Sequence, residues 1–429
     1  MNRKDDHKLK QIIKKHFLEK KTTDLKNSAK KLSLAEPPFD WEEVYEALNS
    51  MLEMKTTMGT KVKKFEKMFA KYIGVKYALM VNSGSSANLI ALSILANQSL
   101  GSMKINSGDE IITPAVTWST TVFPMKNIGA KPVFVDVDEN TFGIEPKKIE
   151  NAITKRTKAI MVVHLLGYPC EMNKIRKIAQ KHNLYLIEDS CEALGAEYKK
   201  KKVGSIGDLG TFSFFASHHI TTMEGGMLVT NNSKFYEIAK SLRAHGWTRD
   251  KKDRKKIERK YPKINPNFLF ENVGYNLRPT EVQGAFGIHQ IKKLDKLVNK
   301  RIVNAQKLKN NLKNYSKYLK FHPENNNIKN SNMVFPITIV TNKFFTKEEI
   351  IKHLHKNNID TRPVMTGNII EHPVMKNIKF KKGSTLKNSQ SVTDNSFLIG
   401  NHHLISTKTL DHITNCISSF IEKKLESRN

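Results

Sequence analysis

Seven short, largely apolar runs mark the chain as far as Thr230, at 77–81, 110–113, 132–137, 159–166, 184–188, 211–215 and 227–230. Near-continuous apolar runs of this length read as strands buried on both faces. Several are separated by segments long enough for helices, at 86–95, 117–127, 147–153 and 171–182. Strands alternating with helices predict a mainly parallel sheet covered on both sides. Such sheets take their ligands at the carboxyl ends of the strands.

The pattern changes after Pro279. A long helical stretch runs to Leu308, followed by a strand at 333–340, a helix at 347–357, an Arg362-Pro363 loop and a closing amphipathic helix at 407–422. These predict a smaller α+β domain. The polar, Asn-rich stretch 324–332 reads as a surface connector. At the other end, 41–48 has amphipathic helical spacing. Residues 1–36 are Lys-rich with weak helical spacing at Ile12, Ile13, Phe17 and Leu18. The expected organisation is a basic extension at 1–36, a large domain at 37–290 and a small carboxyl-terminal domain at 291–429. A chain of 429 residues with 39% hydrophobic content is long enough for this.

Charge changes the picture little. Net charge is +31, which raises nucleic acid as a partner, but lysines mix with Asn and Ile along much of the chain and read as solvated faces. Denser clusters lie at 8–31 and 251–260; an acidic small molecule such as a nucleotide diphosphate fits better than nucleic acid. No apolar run approaches the roughly 18 residues of a membrane span, and the first residues lack the core of a secretory signal, so a cytoplasmic enzyme is expected. Cys170, Cys191 and Cys416 are scattered singly, which supports neither a metal site nor a disulfide framework.

Candidate chemistry gathers near strand ends. Asn82-Ser-Gly-Ser-Ser-Ala-Asn88 follows the first strand and opens a helix, where hydroxyls and free amides suit a dianionic phosphate. Thr113-Pro-Ala-Val-Thr-Trp118 follows the second. Asp189 closes the strand in Leu186-Ile-Glu-Asp-Ser-Cys-Glu192, and Ser213-Phe-Phe-Ala-Ser-His-His219 runs on to Gly225-Gly226.

In order and spacing these motifs resemble the DegT/StrS family of pyridoxal-phosphate (PLP) sugar aminotransferases, over roughly residues 37–429. The resemblance implies the aspartate-aminotransferase-like fold, fold type I. It implies phosphate contacts from Ser85, Ser86 and Ser213, ring stacking by Trp118, a ring-nitrogen partner in Asp189 and a cofactor neighbour in Glu192. Asn276 resembles an asparagine that reaches the neighbouring subunit's phosphate site, which implies a homodimer. The family's Schiff-base lysine falls on His218, and His-His-Ile-Thr at this point resembles the family's 3-dehydratase offshoot. An imidazole can shuttle protons but cannot form the imine. His218 is thus the expected acid–base, with His219 positioning or packing, though the two could exchange roles.

The cofactor is then expected to be held without a covalent tether and to enter as pyridoxamine phosphate (PMP), with L-glutamate as amine donor. The implied reaction removes the C3 hydroxyl of a nucleotide-linked 4-keto-6-deoxy sugar, in deoxysugar or surface-polysaccharide biosynthesis, and releases ammonia. One branch of the offshoot carries a cysteine quartet for an iron–sulfur cluster. No cysteine lies between Cys191 and Cys416, so the cluster-free branch matches, with GDP-4-keto-6-deoxymannose the leading substrate and CDP-linked or other sugars open. A nucleotide-sugar aminotransferase and a silent PLP-fold binding protein are the alternatives.

Overall fold

The computed structural model describes residues 3–27, 31–341 and 343–427; of the expected basic extension, positions 1, 2 and 28–30 lie outside them. The main sheet contains β1 (Tyr77–Val81), β2 (Glu110–Pro114), β3 (Lys131–Val135), β4 (Thr157–Val163), β5 (Tyr185–Asp189), β6 (Leu209–Ser213), β7 (Gly226–Thr230) and a later strand, Lys381–Lys382. Across the sheet the order is β1, β7, β6, β5, β4, β2, β3 and then Lys381–Lys382. All pairs are parallel except those made by β7, which runs antiparallel to both β1 and β6. This exception matters. A parallel neighbour would need a crossover to the opposite edge, whereas β6 returns directly into β7 and leaves the histidine-bearing loop at the carboxyl end of β6.

Helices α1 (Arg3–Asn27), α2 (Trp41–Leu52) and α3 (Thr60–Ile73) precede β1, α4 (Gly84–Leu95), α5 (Ser119–Asn127), α6 (Pro146–Ala152) and α7 (Met172–Lys181) connect successive strands from β1 to β5, and α8 (Ser233–Arg243) follows β7. One buried cluster joins β1, α4 and α8 through residues such as Leu79, Ile90 and Phe235; another lies on the opposite side with Phe65, Phe212 and Phe214. After a short helix, α9 (Arg254–Glu258), the long α10 (Glu281–Asn311) begins at a Thr280–Gln283 capping box and runs without interruption across position 290. The small sheet beyond it, in the order Leu319–Lys320, Phe335–Ile339, Ser396–Ile399, Thr361–Pro363, packs with Lys347–Lys356 and Thr407–Glu426 around Phe335, Phe397 and Ile417.

Three sequence expectations shift. The β4 run stops at Val163 because Leu165–Gly167 make a tight turn with Leu166 left-handed at φ 56°. Arg362-Pro363 belongs to a strand that pairs with Ser396–Ile399, where Pro363 sits at the sheet's outer edge. The 324–332 connector is a surface loop only in its first part. Ser331 and Asn332 are buried, and the Ser331 amide bonds to Gly167 O at 3.0 Å. Gly167, at φ 95°, permits this approach, because a Cβ there would stand 2.7 Å from the Asn332 nitrogen.

The sheet's floor is fixed by Glu188. Its buried carboxylate accepts the amides of Gly204 (2.9 Å), Ile206 (2.7 Å) and Gly207 (2.6 Å) and bonds His164 Nε2 at 3.0 Å. His164 Nδ1 already accepts the Cys170 amide, so Nε2 carries the proton that is donated to Glu188. Replacing Glu188 with Ala strands these donors, and we expect a loss of about 3–5 kcal/mol in urea denaturation; a loss under about 1 kcal/mol, the size of one ordinary hydrogen bond, would contradict the anchoring role.

Candidate active site

Because side chains alternate along a strand, Glu188 and Asp189 leave the end of β5 on opposite faces. Asp189 faces a cavity of about 360 Å³ at the carboxyl edge of the sheet, between the large and small sheets. Its Oδ2 accepts Asn88 Nδ2 at 2.8 Å and Thr121 Oγ1 at 2.8 Å, and its Oδ1 accepts the Cys191 amide at 3.2 Å. Asn88 is itself oriented by Thr211, whose hydroxyl donates to Asn88 Oδ1 at 2.6 Å, while Thr117 donates to Thr121 at 2.9 Å. Every donor around Asp189 thus reinforces a carboxylate acceptor aimed into the cavity.

One wall is the start of α4. Ser83 caps the helix by accepting the Ser86 amide, and Ser83, Gly84 and Ser85 line the cavity with Ser213 of β6. The helix can start here only because two glycines let backbones touch. A Cβ on Gly84 would lie 2.5 Å from Ser213 Cβ, and one on Gly226 would lie 2.2 Å from Ser83 O. The helix amino end and hydroxyls converge where an anion is stabilised. Ser86 is turned away: its hydroxyl donates to Asn82 Oδ1 at 2.6 Å.

Trp118 stands at the same cavity with 53% of its surface exposed, an apolar plate left free for a planar ligand. His218 completes the lining on the β6–β7 loop, together with Ser217, Glu224, Met333, Arg362 and Met365. Burial, with the charge of Arg301 adding to it, pushes the His218 imidazole down to about 4, so it is neutral near pH 7. Glu192 moves the other way. It accepts the Leu166 amide at 2.9 Å, but burial pushes its carboxyl up to about 7. Burial and then Asp189 hold the Cys191 thiol protonated.

The two histidines are separated by the fold. His219 is fully buried outside the cavity, its Nε2 bonded to Ser331 O at 3.2 Å and its Nδ1 without a partner. Of the expected site residues, Ser85, Trp118, Asp189, Glu192, Ser213 and His218 come together. Ser86 supports the helix start from behind. Asn276 is exposed outside the cavity and accepts Arg278 Nε at 3.0 Å. Sequence reasoning missed Asn88, Thr121 and Thr211, whose significance depends on contacts distant in sequence, and Met333 and Arg362 from the small domain. A carboxylate cluster at Asp40, Glu42 and Glu43 lies elsewhere and is met by the Lys293 ammonium at 2.8–3.0 Å.

The sheet order, the small antiparallel domain and a cavity with a strand-end carboxylate opposite a helix start define the aspartate-aminotransferase-like architecture, fold type I of PLP-dependent proteins. The chain belongs to the DegT/DnrJ/EryC1/StrS aminotransferase family, which matches residues 39–418. It is 37% identical over 378 residues to a GDP-4-keto-6-deoxy-D-mannose 3-dehydratase of Escherichia coli O55:H7, covering 87% of this chain and 96% of that protein. A dTDP-4-dehydro-2,6-dideoxy-D-glucose 3-dehydratase of Saccharopolyspora spinosa is 35% identical, covering 90% and 85%. A crystal structure of GDP-4-keto-6-deoxymannose-3-dehydratase with a trapped PLP–glutamate geminal diamine matches at 35% identity with a TM-score of 0.81, over 90% of this chain and 99% of that one.

The opposed shifts of Glu192 and His218 give opposite pH signatures in protein stripped of small molecules. From its ordinary 4.5 up to about 7, native Glu192 holds a proton that the unfolded chain has released, so its contribution to stability falls as pH rises. From about 4 up to 6.5, the unfolded chain holds the proton that native His218 lacks, so stability rises. In thermal denaturation, wild type minus Glu192→Gln should therefore slope down across the first window, and wild type minus His218→Asn should slope up across the second. Slopes of the same sign would contradict these environments.

Proposed function

We propose that this chain removes the C3 hydroxyl of a nucleotide-linked 4-keto-6-deoxyhexose, using PLP/PMP and L-glutamate, to give a 4-keto-3,6-dideoxy sugar and ammonia. The observation that carries this reading is a neutral imidazole, His218, in a cavity whose described lining contains Asp189, Trp118 and the start of α4 but no lysine. The family membership and the 3-dehydratase relatives support the same chemistry. Atoms and electrons balance: the sugar loses oxygen at C3 and gains two electrons, and glutamate becomes 2-oxoglutarate and ammonia.

The donor set fits a pyridoxal-type cofactor. Asp189, fixed by Asn88 and Thr121, would hold the proton on the ring nitrogen. Ser85, Ser213 and the start of α4 would take the phosphate, with Ser86 supporting the helix start, and Trp118 would cover the ring. When bound, the cofactor supplies the electron sink and carries the amine. Among the described residues no lysine lines the cavity to bond it covalently, so retention would rest on these contacts. His218 Nε2 or Nδ1, free at neutral pH, takes a proton in the cavity and returns one to the departing C3 hydroxyl. Glu192, protonated up to about pH 7, presents a hydrogen-bond donor beside it.

The chain acts as a homodimer in this reading, because exposed Asn276 serves the neighbouring copy's phosphate site rather than its own. GDP is the first nucleotide to test, as in the Escherichia coli relative, with dTDP and CDP sugars beside it.

Offered PLP, glutamate and GDP-4-keto-6-deoxymannose, the purified protein should release ammonia together with 2-oxoglutarate. His218→Asn should lower this turnover by about 10²- to 10⁴-fold while the cofactor's absorbance shows it still bound. Retained turnover in the variant would sink the assignment of His218. An amino sugar without ammonia from wild type would instead identify an aminotransferase, and no change in absorbance on adding glutamate would identify a silent scaffold.

A further inference from the structure

Three consecutive carbonyls of the strap that enters the small sheet are taken by three different side chains. Ser331 O bonds His219 Nε2 at 3.2 Å, Asn332 O accepts Asn401 Nδ2 at 2.9 Å and Met333 O accepts Arg301 Nη1 at 2.7 Å. Arg301 also donates to Asn401 O, and Asn401 Nδ2 returns a bond to Arg301 O at 3.1 Å, which closes a ring of contacts between α10 and the strap. Met333, at the end of this strap, lines the cavity with His218.

Arg301 is fully buried, its Nε has no partner, and among the described residues no carboxylate pairs with it. A buried guanidinium without a counter-ion is costly. Carbonyl bonding alone could be supplied by a neutral amide, so the charge itself calls for a reason.

We propose that Arg301 is a positioning residue for the dehydration: it fixes the Ser331–Met333 strap behind the histidine pair and lends that pair an uncompensated positive charge, so that His218 enters the reaction as the free base. This rests on the reading of His218 given above. The charged and titratable groups that share the cavity with His218 are Asp189, Cys191 and Glu192 from the end of β5, Glu224 on its own loop and Arg362 from the small sheet, while His219 on the same loop and Arg301 from α10 act on it from outside the lining. Glu192 is protonated up to about pH 7, and Asp189 is engaged by Asn88 and Thr121. Arg301 lies outside the cavity lining, bonded to the strap at Met333 O, where burial lowers its own affinity for a proton only to about 10 and leaves it charged at neutral pH.

The test follows the His218 ring directly, by NMR of full-length protein labelled at histidine, with and without PLP, its signal identified by loss in His218→Asn. In wild type it should titrate well below the roughly 6.5 of a free imidazole. Arg301→Gln, which can still donate to the carbonyls, should raise the titration on the order of one pH unit or more. Arg301→Lys, which keeps the charge, should leave it near wild type, and the acid limb of kcat/KM should move in parallel. A wild-type titration at about 6.5, or no rise in Arg301→Gln, would overturn the proposal. If Arg301→Gln fails to fold, a low wild-type titration preserved in Arg301→Lys supports it, and a lysine variant that titrates like a free imidazole refutes it. Full turnover in His218→Asn would remove His218 as the base without altering the ring titration, so the two readings fail separately.

Discussion

The structure turns on two adjacent carboxylates at the end of one central strand. Glu188 faces down and collects the amides of the 204–207 turn and the proton of His164, which fixes the height of the strand end. Asp189 faces up from that platform with its oxygens already committed to Asn88, Thr121 and the Cys191 amide. Solvating either oxygen set with water would leave its position loose. Protein donors instead hold it to the tolerance of a hydrogen bond, and the helix start and the histidine loop are positioned against it.

The opposite wall depends on close approaches and not on charge. Gly84 against Ser213 and Gly226 against Ser83 let a helix, a parallel strand and an antiparallel strand meet at one point. Because β7 returns antiparallel, the loop after Ser213 stays on the side where Asp189 emerges. The histidine pair then splits: His218 turns into the cavity, and His219 is drawn under the Ser331–Met333 strap. A single-residue step along the loop thus separates a ring that lines the cavity from one buried outside it.

Much of this was legible because it is local. The apolar runs announced the buried strands, and Asp189, the Ser-Gly-Ser-Ser turn and the histidine pair followed those runs at strand ends or in the loops just beyond. What the sequence concealed depends on distant partners. Asn88 sits in a helix and Thr211 in a strand, and nothing in either neighbourhood shows that they meet 2.6 Å apart above Asp189. The Asn-rich 324–332 stretch has the composition of a solvent loop, yet its last residues are buried because Gly167 admits them. Arg301 is surrounded by the lysines of a solvated helix face and differs only in pointing inward. Ser86 shows the converse: its motif position was right for the helix start, while its hydroxyl was already engaged by Asn82.

The absence of lysine from the cavity lining also reaches beyond chemistry. A covalently tethered cofactor travels with its protein, but one held as proposed, by a helix end, a carboxylate and an indole, would be in exchange with whatever concentration surrounds it. Native stability then follows mass action: each tenfold rise in free cofactor above its dissociation constant adds about 1.4 kcal/mol. For such a chain, resistance to unfolding is partly a property of the solution, and it rises with the supply of a vitamin-derived small molecule.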